Sequence, residues 1–124
     1  MTPTLIILIL GRFLLGAAFV VFGVRNLSAI ERLTEVQVKR GRLPQPRLFI
    51  QIGVGIQIAG GLMVASGLFA WLGALALAGF LLFAAYLFHA FWEFPNEERT
   101  PHINAWIMNV GLAGAFLMVF GLSI

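Results

Sequence analysis

Residues 88–109 read Phe88-His89-Ala90-Phe91-Trp92-Glu93-Phe94-Pro95, then Asn96-Glu97-Glu98-Arg99-Thr100-Pro101, then His102-Ile103-Asn104-Ala105-Trp106-Ile107-Met108-Asn109. Both histidines of the chain, two of its three tryptophans and three of its five acids fall here. Long apolar runs flank the stretch on both sides, so it reads as the ends of two helices that cross an apolar medium and the short polar connection between them. The rest of the chain repeats that pattern. Of 124 residues, 60% are hydrophobic and 10% charged, with a mean hydropathy of +0.98. Soluble domains carry about 25% charged residues. So small a supply cannot cover a surface that faces water on all sides, and lipid bilayer is the expected solvent.

A spanning helix needs about 20 apolar residues. Four runs supply them, at about 4–23, 47–66, 69–92 and 101–122. Backbone groups in lipid must pair internally, so the expected fold is all-α: a membrane-embedded antiparallel four-helix bundle, one integral domain over 1–124. Pro95 is expected to stop the third helix. Thr100 is expected to cap the fourth, with Pro101 in its first position. Gly67 suits the left-handed end of the second helix, and the short joint after it forces an antiparallel pair. The first run lacks a basic leader and is interrupted by Arg12, so it reads as a retained helix, not a signal peptide. The one long polar connection, 26–46, has its own pattern. Ser28 and Glu31 have capping-box spacing. Leu27, Ile30, Leu33 and Thr34 fall on one side. Lys39 and Arg40 suit a last turn and Gly41 a stop. The segment predicts a short amphipathic helix over about 29–40, lying in the membrane interface.

With four spans, both termini share one side of the membrane. Seven of the eight basic residues (Arg25, Arg32, Lys39, Arg40, Arg42, Arg47, Arg99) fall on the other. The positive-inside rule places connections 24–47 and 93–102 in the cytoplasm and both termini outside. The formal charge of +3 is too small and scattered for a nucleic-acid footprint. With no cysteine, disulfides, thiol redox couples and thiolate metal sites are excluded. Two histidines with only Glu93 near them fall short of the usual metal ligand sets, so no metal is expected. No phosphate-cradling glycine loop and no nucleophile–base pair stands out.

The polar residues inside the runs are the candidate site. Arg12 lies roughly 11–12 Å below the outer end of the first run, and Gln57 roughly 14 Å below that of the second. Both share a face with small residues: Arg12 with Gly16, Gly23 and Phe19, and Gln57 with Gly53, Gly60 and Gly61. Small residues let helices approach closely, so both side chains are expected to point into the bundle and to hydrogen-bond one another. No acid lies at that depth. Arg12 therefore either snorkels outward, bonds to amides and carbonyls, or anchors an anionic or carbonyl-bearing ligand. Nearer the other side, His89, Trp92 and Glu93 are spaced as one helical face. His102, Trp106 and Asn109 form a second face, and Gln51 enters at a comparable depth. A histidine beside a carboxylate suits proton transfer or a quinone carbonyl. Equally, the tryptophans suit an interfacial belt, with His89 and Asn109 tying helices together.

The chain resembles the DoxX family of small four-helix membrane proteins. The resemblance is carried in order by Arg12 with Gly16, by Gly41-Arg42-Leu43-Pro44-Gln45-Pro46, by Gly60-Gly61-Leu62 and by Phe88-His89-Ala90-Phe91-Trp92. Glu98-Arg99 and Asn109-Val110-Gly111-Leu112-Ala113-Gly114 complete it. It implies a bacterial inner-membrane protein, in a family named after relatives of a quinone-linked thiosulfate oxidation system. Two departures remove charge: Gln57 stands where members often carry a glutamate, and Ala90 where they often carry an acid. Three functions follow as expectations. One is a redox-linked subunit binding a quinone or similar apolar ligand, with Arg12 and Gln57, or His89 and Trp92, at its head group. Having no redox group of its own, such a chain needs a bound cofactor or a partner protein for electrons. Another is a non-catalytic scaffold that docks a cytoplasmic or membrane redox partner. The third is a carrier for a small apolar solute, which at this size requires a homo-oligomer.

Overall fold

A computed structural model describes residues 1–124. The chain is all-helical: α1 Pro3–Leu27, α2 Ile30–Arg40, α3 Pro46–Ser66, α4 Ala70–Phe88 and α5 Asn96–Ser123, with a single 3-10 turn at Phe91–Glu93 between the last two. Four helices, all but α2, are long and apolar enough to cross a membrane. They stand in the order α1, α3, α4, α5, each packed on the next. The outer pair, α1 and α5, meet through the rings of Phe19 and Phe116, edge to face at 5.0 Å. Both rings are buried, and Val64, Leu77 and Leu81 complete the centre of the core.

Adjacent glycines on α3 serve two different neighbours. Gly61 packs on α1: a Cβ there would lie 2.7 Å from the Gly16 carbonyl oxygen. Gly60 packs on α4, where a Cβ at Gly73 would lie 2.8 Å from the Gly60 carbonyl oxygen. Backbone thus meets backbone on both flanks of α3, the close approach that drives helix association in lipid. The small-residue faces expected of the first two spans are the buried ones: Gly16, Phe19 and Gly23 on α1, and Gln57, Gly60 and Gly61 on α3.

The interfacial segment is helical over Ile30–Arg40, ended by Gly41 in the left-handed region at φ 69. Its cap differs from the expected box. Ser28 donates back to the Arg25 carbonyl, Ala29 takes the cap position with no side-chain bond, and Glu31 pairs with Arg47. Its inner face ends in Gln37, which is fully buried.

Two boundaries move for identifiable reasons. The helix expected to run to Trp92 ends at Phe88, well short of Pro95. Its last carbonyls take other donors: Gln37 Nε2 bonds to the Leu87 oxygen at 3.2 Å and Arg42 Nη1 to the Tyr86 oxygen at 3.4 Å. Orphan carbonyls and a cation at a helix C-terminus are mutually satisfying, so the next turn is not required. Conversely, α5 starts at Asn96, not at Pro101. Glu97 and Glu98 occupy its first turn, where acids suit the dipole, and Pro101 sits inside the helix. Thr100 is therefore not a cap.

Candidate functional site

At the end of the bundle that carries the termini, a seam opens between α1 and α5. It holds a cavity of about 380 Å³, walled by Leu5, Leu8 and Leu15 on one side and by Ala115, Val119 and Leu122 on the other. Arg12 is its one basic group. The guanidinium lies against Gly67, where a Cβ would come within 2.7 Å of Nη2. Gly67, at φ 84, is the left-handed cap of α3, so the cation rests at the negative end of that helix. Nε of Arg12 is shielded from solvent and has no hydrogen-bond partner.

The expected Arg12–Gln57 bond does not form. Gly16 faces Gly61 and Ala65, and Gly23 faces Gln57 and Ile58. In this antiparallel register Arg12 is level with the end of α3, and Gln57 lies about three turns deeper. Counting depth from the span ends puts both outer ends at one level, whereas the nine residues of α1 that precede Arg12 extend beyond the end of α3. Gln57, 6% exposed, instead accepts from Asn26 Nδ2 at 3.0 Å. Asn26 is not among the residues the sequence points to, because the apolar run ends at about Gly23 whereas α1 continues to Leu27. Its signal was an amide one turn past Gly23.

A second polar group forms at the other end, here called the loop end. His89 caps α4, and its Nδ1 lies 3.1 Å from Nδ1 of His102. One of these nitrogens must carry the proton and the other accept it. Phe94 stacks on His102 with centroids 3.8 Å apart. Trp92 meets Trp106 edge-on at 5.2 Å, and Asn109 Nδ2 donates to the Leu81 oxygen at 3.3 Å. Along α5, His102 thus meets the cap of α4, Trp106 the 3-10 turn and Asn109 the body of α4. The face His89–Trp92–Glu93 does not exist as a helical face, because the backbone unwinds at His89.

Glu93 turns away from the histidines. Both its oxygens accept from Arg42 Nη2, and Arg40 Nη2 lies 3.6 Å away. Arg42 also covers the Tyr86 ring at 4.9 Å, and Arg40 the Phe94 ring at 5.3 Å. Burial, and then the charge of Arg42, hold Arg40 below the usual arginine value, with Tyr86 opposing. These two arginines come from the α2–α3 corner, and sequence spacing gives no hint that they reach the end of α4. Gln51 is exposed on α3 and bonds to none of these groups. The histidine pair has no third His, Cys, Asp or Glu beside it.

Four apolar spans, with their polar side chains gathered at one seam and one end, make this a multi-pass helical membrane protein. The DoxX family model matches residues 7–90, most of the chain, and the protein belongs to the DoxX family. No curated protein and no solved structure matches it. The matched range takes in Arg12, Gln57 and His89 and ends before α5, so His102, Trp106 and Asn109 lie outside it.

Proposed function

We propose that this DoxX-family protein is a redox-associated membrane subunit that binds a quinone or similar apolar carbonyl compound in the α1–α5 seam. The observation that carries this reading is Arg12, which lines a mostly apolar cavity between two membrane-spanning helices and whose buried Nε has no hydrogen-bond partner. Ligand pockets run from about 300 to 1,000 Å³, and this one is of that size. A carbonyl oxygen would receive directional, charge-assisted bonds from Arg12, while the leucine walls match an apolar ring and tail. Electron chemistry belongs to the ligand and to a partner protein, since the chain has no redox group. The basic residues gathered at the loop end support a cytoplasmic position for that end in a bacterial inner membrane.

A structural reading of Arg12 also has an observation behind it, the contact with the end of α3. The two separate in one experiment, a thermal shift of detergent-solubilised protein with a short-chain quinone. A bond to a charged donor contributes about 1.5–3 kcal/mol, or roughly 10- to 100-fold in affinity. Arg12→Gln is expected to lose the quinone-dependent rise in Tm while its ligand-free Tm stays close to that of the unsubstituted chain. A quinone shift retained in Arg12→Gln, with the ligand-free Tm lowered, would establish the structural role and sink the ligand role.

A further inference from the structure

At the loop end, the chain passes from α1 to α2 through a tight corner. The corner forms an open concavity of about 600 Å³ lined by Phe22, Arg25, Asn26, Ser28, Ala29 and Arg32. It is separate from the seam and independent of the reading given for it. Arg25 and Arg32 are exposed and have no acidic partner. The ion pairs of the chain are Arg40 and Arg42 with Glu93, and Arg47 with Glu31. Glu31, next to Arg32 in sequence, is thus already engaged by another arginine. Arg25 and Arg32 thus both line one concavity with unpaired guanidiniums, donor forks of the kind that suit the oxygens of a phosphoryl group. The first amides of α2 add to it, because that helix starts beside Ala29 with no side-chain cap and its amide donors favour an anion.

Phe22 decides between a soluble anion and a lipid. It lies on α1 one turn toward the bilayer from Arg25 and is 50% exposed. An inorganic phosphate has no use for an aromatic wall on the membrane side, whereas a phospholipid places an acyl chain along it. We propose that this corner binds the phosphoryl head group of an anionic phospholipid, held by Arg25 and Arg32 with its acyl chain against Phe22.

The test titrates the full-length protein in detergent with phosphatidylglycerol, phosphatidylcholine and, separately, inorganic phosphate, reading bound lipid by native mass spectrometry and stability by Tm. Phosphatidylglycerol is expected to bind in preference to phosphatidylcholine and to raise Tm. Arg25→Gln and Arg32→Gln are each expected to weaken it about fivefold, the equivalent of about 1 kcal/mol per basic residue at an anionic surface. Lys39→Gln removes the same charge at the same end and is expected to do much less. Should Arg25→Gln prove poorly folded, Arg25→Lys keeps the charge but not the fork and is expected to weaken phosphatidylglycerol binding measurably, though less than Arg32→Gln does. Equal losses in all three glutamine variants would mean a diffuse surface attraction and overturn the proposal. So would a Tm rise with inorganic phosphate equal to that with phosphatidylglycerol, or equal binding of the two lipids.

Discussion

Glu93 shows how far one side chain can be from the role its spacing assigns. Its position four residues after His89 pairs it with that histidine only if the helix continues, and the helix does not. The carboxylate instead neutralises Arg42 and lies beside Arg40, two cations that would otherwise face each other at the end of α4. Both partners are partly exposed, so the pairing falls in the range of up to about 1 kcal/mol measured for surface pairs. Glu93→Gln is expected to lower Tm by a few degrees at low ionic strength. The difference should shrink as salt is raised, since exposed charges are screened; thermal melts across a salt series check this. A salt-independent loss would place the role of Glu93 in packing. Gln57 makes the same point in the other direction. Its inward position followed from its glycine face, but its partner, Asn26, depended on where α1 ends and on the register of two helices. A single sequence specifies neither.

At the scale of elements, the spans were legible because about 20 apolar residues in a row admit few other readings. The α2 helix was legible from its periodicity and from Gly41. What stayed hidden was the end of α4, which is set by donors from elsewhere in the chain. Gln37, buried on α2, and Arg42, just after it, satisfy the carbonyls that another helical turn would have used. Helix contacts themselves are written in glycine. Gly16→Ala would force a methyl into the backbone of α3 at Gly61 and Ala65, and overpacking of this kind costs about 1–3 kcal/mol. Gly114 on α5 has nothing within 4 Å of its would-be Cβ, so Gly114→Ala is expected to be neutral or slightly stabilising, as alanine favours helix. Tm values of the two variants in one detergent check this contrast. Equal effects would contradict the α1–α3 interface.

For the whole molecule, the order α1, α3, α4, α5 leaves the first and last spans joined chiefly by Phe19 and Phe116, with an apolar cavity and one arginine at the terminal end of their seam. That arrangement carries the functional reading, and composition could not have located it. Helix order in a bundle depends on which faces pair, and the apolar faces of α1 and α5 look alike in sequence. The most direct test is photolabelling of the purified protein with a photoreactive short-chain quinone, the labelled residues being mapped by mass spectrometry. Labelling on α1 and α5 around Leu8, Leu15 and Val119, suppressed by unlabelled quinone and lost in Arg12→Gln, is the predicted result. Labelling concentrated at Trp92 and Trp106, or unaffected by unlabelled quinone, would contradict it.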